Sequence, residues 1–190
     1  VGGGANWTGA AVDPETGLLY VPSVNAHSVI QLTEPRPDEP STLRYIRRTT
    51  QAGPVMPRGL PLWKPPYSRM TAIDMNNGEH VWMTPTGDGD RIRNHPMLRD
   101  LELPKLGGDA SRSGPLLTKT LLIHALTAGG TSGGPRLVAY DKASGKELGS
   151  VDLPSGALGA PITYLVDGRQ HIALTVGGRL PGLIVFWLGD

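Results

Sequence analysis

A spacing that recurs along the chain limits its possible folds more than any other feature. Ala72-Ile-Asp74-Met-Asn-Asn-Gly78 and Ala139-Tyr-Asp141-Lys-Ala-Ser-Gly145 share their Ala, Asp and Gly positions. The short turns Lys119-Thr120 and Asp167-Gly168 also sit at equivalent points, 48 residues apart. Units of ~40–50 residues holding four short strands each are the mark of β-propeller blades. A single four-stranded blade cannot cover its own apolar faces, so such units repeat and stack. The composition agrees, because 26 Gly and 18 Pro among 190 residues favour short strands and many turns over helices.

The strands can be placed between those turns. Asn6 to Val12 reads as one arm of a hairpin, Asp13-Pro-Glu-Thr-Gly17 as its turn and Leu18 to Val21 as the return. Met70 to Asp74 and Glu79 to Met83 pair around Asn77-Gly78. A second cycle runs Gly114 to Thr118, Leu121 to Leu126, Leu137 to Asp141 and Lys146 to Leu153. A third runs Ala160 to Val166, Gln170 to Val176 and Leu183 to Leu188, and the chain stops before a fourth strand. The expected fold is therefore all-β: a partial β-propeller of about two and three-quarter blades in one incomplete domain, roughly 1–85, 113–154 and 159–190.

Two stretches break the pattern. Residues 25–69 form a proline-rich insert in the first blade, with Thr42 to Thr49 as one exposed strand, and with Leu60, Leu62, Trp63 and Tyr67 expected to bury. Residues 84–112 form a loop in which Leu98 to Leu106 makes at most a short helical turn. Trp82 closes its repeat, whereas Gly149 stands at the equivalent place in the next and removes a packing anchor.

Charge and residue usage exclude several functions. A net charge of +1, with no basic run interleaved with aromatics, gives no reason to expect a nucleic-acid partner. Cysteine is absent, which removes disulfides and thiol chemistry. No apolar run approaches the ~20 residues that cross a bilayer. The chain opens directly on a strand with no Met or basic leader, as a piece of a longer protein would.

The opening stretch, Gly3-Gly4-Ala5-Asn6-Trp7 followed by Ala11-Val-Asp13-Pro-Glu-Thr-Gly17-Leu-Leu-Tyr20-Val21, resembles the pyrroloquinoline quinone (PQQ) dependent dehydrogenases, in particular their membrane glucose dehydrogenase-like branch. The resemblance continues, in order, through Leu62-Trp-Lys64-Pro65-Pro66-Tyr67-Ser-Arg-Met-Thr71-Ala-Ile-Asp74, Gly114-Pro-Leu-Leu-Thr118-Lys119-Thr120 and Ala160-Pro-Ile-Thr163-Tyr164-Leu-Val-Asp167-Gly168-Arg-Gln170. It implies an eight-bladed propeller whose last blade is completed from the N-terminal part of the chain. It also implies a periplasmic enzyme that oxidises a sugar or alcohol and passes electrons to a quinone or a cytochrome. PQQ and Ca²⁺ would be its cofactors. The family's catalytic base, the basic residue beside the quinone and the Ca²⁺ ligands all come from upstream blades, and nothing here matches their motifs. The expectation is that these 190 residues carry no catalytic or metal-ligating residue, are inactive alone and bind neither PQQ nor Ca²⁺ tightly. They would either self-associate or stay with the missing blades.

On the resemblance, Asn6 contacts the ortho-quinone end of PQQ, where an amide can donate to a quinone oxygen and steady the charge arriving there. Read by residue type alone, Asn6 better suits a strand end, satisfying backbone groups. Trp7 is either a neighbour of the cofactor or a core wedge. Gly178 and Arg179, in Thr175-Val-Gly177-Gly178-Arg179, form a second candidate contact or an ordinary turn; some family members place an aromatic near Arg179. Two other classes compete. One is a non-enzymatic scaffold with PQQ-like repeats, which would have no need of an amide at the propeller axis. The other is a serine hydrolase using Ser132 in Gly130-Thr-Ser132-Gly-Gly134, with His124 as the nearest histidine, although a strand and not a helix follows. The histidines 27, 80, 95, 124 and 171 show no zinc-site spacing.

Overall fold

In the computed structural model, residues 3–6, 8–51, 55–179 and 181–187 are described. The chain opens with β1 (Ala11–Asp13) and β2 (Leu18–Val24), then makes an excursion holding β3 (Val29–Thr33) and β4 (Ile46–Gln51). It returns through β5 (Ser68–Asp74) and β6 (His80–Pro85), and a single-turn helix α1 (Asp90–Arg93) follows. After β7 (Arg112–Ser113) come β8 (Leu116–Leu117), β9 (Leu121–Leu126), β10 (Arg136–Asp141) and β11 (Glu147–Asp152). The last strands are β12 (Ala157–Val166), β13 (Arg169–Val176) and β14 (Gly182–Trp187).

These strands form three four-stranded sheets and one separate hairpin. The first sheet runs β1-β2-β5-β6, the second β8-β9-β10-β11 and the third β7-β12-β13-β14. Neighbouring strands are antiparallel except β7, which lies parallel to β12. The fold is all-β, in propeller-like blades. The third sheet gains its fourth member, β7, on the β12 side, so β14 still has no outer partner among the described residues.

One turn is built three times. In Asp13–Gly17, Asp74–Gly78 and Asp141–Gly145 the Gly N–H donates to the Asp carbonyl at 2.8, 2.7 and 2.8 Å. Each Asp side chain accepts the N–H two residues on, from Glu15, Asn76 and Ala143 at 3.1, 2.8 and 2.7 Å. Each glycine has positive φ (70°, 78° and 70°), where a side chain would be strained.

Strand alternation decides which faces stack. Leu122 and Leu126 of β9, with Val138 and Tyr140 of β10, pack on Tyr20, Met70 and Ala72 of the first sheet. Ile123, Ala125 and Leu137 point the other way, onto Ala157 and Leu174 of the third. The middle sheet is thus covered on both faces, and its strands read as nearly unbroken apolar runs for that reason. Each fully buried Leu or Val contributes roughly 1.5–3 kcal/mol.

The first two sheets are fastened by more than apolar contact. Tyr20 Oη and Trp82 Nε1 each donate to the Lys142 carbonyl at 3.1 Å, and Thr84 Oγ1 donates to the Gly145 carbonyl at 3.1 Å. The Lys142 ammonium pairs with buried Asp13 at 2.6 Å. That hydrogen bond holds the Asp13 carboxyl below its usual range and raises the Lys142 pKa. Trp82 lies where a Cβ on Gly145 would fall, 2.5 Å from its ring. Between the second and third sheets, Gly149 leaves an apolar cavity of about 400 Å³ bordered by Leu121, Ile123, Val151, Ile172 and Phe186.

Several expectations need correction. Asn6 to Val12 is not one arm: the strand begins at Ala11, and the Gly9 N–H donates to the Asn6 carbonyl in a turn ahead of it. The insert holds a two-stranded hairpin, and the strand falls at Ile46–Gln51 rather than Thr42 to Thr49. Leu62 and Trp63 do not bury; they are 49% and 48% exposed, and Trp63 stacks on His27. The helical turn is at Asp90–Arg93, because Gly89 turns the chain at φ 75° and the N–H groups of Ile92 and Arg93 return to its carbonyl.

Candidate functional site

Antiparallel order sorts the connections between the two ends of the strands. The tight links of each sheet, including 14–17, 75–79, 118–120, 142–146 and 167–168, lie at one end. The long ones, 25–67, 86–111 and 127–135, lie at the other. The tight-turn end is taken up by contacts that fasten the sheets, such as Lys142 on Asp13, so the long-loop end is where side chains from separate blades are free to form a site.

Asn6 is at that end. Gly4 bridges to Val24, at the end of β2, by hydrogen bonds of 2.6 and 3.1 Å. The chain then turns through Asn6 to Gly9 before β1 begins. This turn leans on the second sheet, where a Cβ on Gly114 would lie 2.5 Å from the Thr8 carbonyl. Gly114 in turn donates its N–H to the Gly159 carbonyl of β12 at 3.0 Å. The inner edges of all three sheets therefore converge beside Asn6, and β8 touches both β1 and β12.

Asn6 lines a cleft of about 520 Å³ together with Thr8, Ser23, Ser111, Arg112 and His124. The 109–113 segment is held over β9: Ala110 bridges to Leu126, and the Thr127 N–H donates to the Asp109 carbonyl at 2.8 Å. His124 is 1% exposed on β9, and neither ring nitrogen makes a hydrogen bond of good geometry among the described residues. Burial lowers its pKa to about 4, with the nearby Gly114 carbonyl opposing, so the ring is neutral at pH 7. The Ser111 hydroxyl is also buried without a partner. Such orphaned groups are uncommon in folded proteins, and two of these side chains border one cleft. Among the described residues Arg112 is the one formally charged side chain lining it, so the cleft suits an oxygen-rich anion.

A second cleft of about 760 Å³ shares Val24 with the first. His27, Trp63, Tyr67, His95 and Asp109 line it. The Trp63 and His27 rings stack there with centroids 4.5 Å apart. Asp109 accepts the Gly89 N–H at 3.1 Å, yet burial raises its pKa.

The other sequence candidates lie elsewhere. Trp7 falls outside the described residues. Gly178 abuts Ser155, where a Cβ would meet its hydroxyl at 2.5 Å, and neither Gly178 nor Arg179 lines the Asn6 cleft. Ser132 is exposed in a Gly130–Gly134 turn that closes on itself and leads into β10, not into a helix. His124 points into the interior of the blades instead. Among the described residues no three His, Asp or Glu side chains gather as a metal site, so they do not fit a Ca²⁺ ion. Arg112, Ser111 and the cleft role of His124 were missed from sequence. The available signal was one histidine in the middle of the apolar run Leu121 to Leu126.

Comparison with known proteins agrees with this architecture. Residues 1–172 match the PQQ family described as glucose/ethanol/alcohol dehydrogenase, β-propeller domain. The quinate/shikimate dehydrogenase (quinone) of Acinetobacter baylyi is 27% identical over 93% of this chain and 23% of its own length. The quinoprotein glucose dehydrogenase of Escherichia coli is 31% identical over 65% of this chain and 15% of its own. In solved structures, the quinohemoprotein alcohol dehydrogenase of Comamonas testosteroni superposes with a TM-score of 0.53 at 25% identity, over 92% of this chain and 22% of that one. A europium-containing methanol dehydrogenase shares the fold, with a TM-score of 0.55 at 23% identity, over 88% of this chain and 24% of that one. The chain spans about a quarter or less of the length of these relatives. On the family match and the blades that carry it, the chain belongs to the β-propeller family of PQQ-dependent glucose, ethanol and alcohol dehydrogenases.

Proposed function

We propose that the chain forms one wall of the PQQ site in a dehydrogenase that oxidises an alcohol or a sugar and hands the electrons to a quinone or a cytochrome. One observation carries the reading: Asn6 stands where the inner edges of three sheets converge and opens onto a cleft with orphaned polar side chains. A scaffold needs no such cleft, and unpaired buried polar groups cost it stability. PQQ, when bound, supplies the two-electron redox chemistry. In this reading the Asn6 amide donates to an oxygen of the quinone and steadies the charge that develops there. The neighbouring cleft offers the Trp63 face and the Asp109 carboxyl to a hydroxylated substrate.

The catalytic base and Ca²⁺ ligands belong to the rest of a longer, periplasmic protein. The 190 residues alone are expected to be inactive and to bind neither cofactor tightly. Reconstitution of the full-length protein with PQQ and Ca²⁺, assayed with a dye acceptor against glucose, quinate, glycerol and primary alcohols, tests the reading. Turnover of at least one substrate is expected, with Asn6→Ala lowering kcat by ~10²-fold, as for loss of a donor to a developing oxyanion. A full-length protein that binds no PQQ, or an Asn6→Ala variant with unchanged kinetics, overturns it.

A further inference from the structure

The cleft contains more than Asn6. Its Arg112 guanidinium has no ion-pair partner among the described residues, and no Asp or Glu lines the cleft. The backbone of Arg112 is fixed from two sides, by Ala110 bridging to Leu126 and by β7 pairing with Leu158 and Gly159 of β12. Its charge is thus carried by backbone secured to two blades. Below it, Ser111 Oγ and the His124 ring are buried with no well-formed hydrogen bond. Burial without a partner destabilises the fold at each such group. A ligand oxygen that accepts from one and donates or accepts at the other would satisfy them.

We propose that Arg112 is the ion-pair partner of a carboxylate on the bound ligand, with Ser111 and His124 as the polar floor that positions that carboxylate. The inference rests on the PQQ reading, since PQQ is a planar tricarboxylate with quinone oxygens at one end. It adds that Asn6 and Arg112 grip different parts of the molecule: the amide takes a quinone oxygen and the guanidinium takes a carboxylate. Arginine suits this role because its planar fork matches a carboxylate and remains charged. His124 is a positioning residue, neutral at pH 7, and acts by hydrogen bonding rather than by charge.

The test is a titration of the full-length apoprotein with PQQ and, separately, with its trimethyl ester, followed by quenching of intrinsic fluorescence. Arg112→Ala should weaken PQQ binding by ~10–100-fold, as for loss of a charged hydrogen bond, and leave the ester nearly unchanged. Arg112→Lys should restore part of the loss. His124→Leu should weaken PQQ binding several-fold while raising the urea midpoint, a combination that a purely structural histidine does not give. Equal losses for PQQ and ester in Arg112→Ala, or no loss for either, overturn the ion pair. If Asn6→Ala still weakens PQQ binding in that case, the PQQ reading stands without it. If the wild-type protein binds neither compound, both fall together. Unchanged binding in His124→Leu removes the polar floor.

Discussion

Replacing Gly145 by alanine should cost far more than the same change at Gly78, although the two glycines occupy the same turn. Both have positive φ, 70° and 78°, so each substitution carries the left-handed backbone penalty of about 1–2 kcal/mol. At Gly78 the added methyl meets nothing within 4 Å. At Gly145 it falls 2.5 Å from Trp82 Cε3, 2.7 Å from Thr84 Oγ1 and 2.8 Å from Trp82 Cδ2. Carbon atoms rest near 3.5–4.0 Å, so the indole must retreat by about 1 Å and strain its bond to the Lys142 carbonyl. Overpacking of this kind adds about 1–3 kcal/mol. Gly145→Ala should therefore lose ~2–5 kcal/mol and Gly78→Ala ~1–2. Urea unfolding followed by far-ultraviolet circular dichroism measures both. Repeating the pair in a Trp82→Ala, Thr84→Ala background completes the cycle, and there the difference should shrink to within ~0.5 kcal/mol. If the two alanines cost the same with Trp82 and Thr84 present, or if the gap survives without them, those side chains do not dock on that turn as described.

Gly149→Trp should fill part of the cavity of about 400 Å³ and raise stability by ~0.5–2 kcal/mol; a lowered unfolding midpoint would contradict that. His124 is depressed to about 4 in the fold against 6.5 outside it, so the unfolded chain binds the extra proton between those values. Stability should then rise by ~3 kcal/mol from pH 4 to 6.5 and level off above, and His124→Leu should remove that slope. Asp13 is held low by Lys142, so its contribution persists above the ordinary carboxylate range and is lost only as pH falls through its lowered value. The open edge of β14, with Leu183 66% and Trp187 62% exposed, should make the purified chain self-associate; light scattering from a stable 20.2 kDa monomer at micromolar concentration would refute this.

The blades were legible because their signals are local. An Asp followed four residues later by Gly sets a turn by its own side chain and φ, and the alternation around it needs no distant partner. The insert was harder. Pro35, Pro37 and Pro40 argue against structure, yet they fall in the loop between β3 and β4, where they remove no ladder hydrogen bond. Val29, Ile30 and Leu32 are all exposed, so that strand lacks the half-buried alternation that betrays others. Asn6 was singled out by its family stretch, and it lines the cleft. Its cleft companions were not, because Ser111, Arg112 and His124 reach it only when Thr8 settles against Gly114 and residue 110 bridges to β9. Contacts between blades leave little trace in residue order.

The unequal fastening of the two joints bears on how the molecule comes apart. Tyr20, Trp82, Thr84 and Asp13 rivet the first joint to one turn, while Gly149 leaves the second with a void. Under heat or load the assembly should shear at the second joint first, with the first two sheets travelling as one block. Asn6, Ser111 and His124 ride on that block, but β7 ties Arg112 to the third sheet. Slackening of the weak joint would be felt first at the one charged residue of the cleft, so ligand grip and mechanical cohesion share a single short pair of strands.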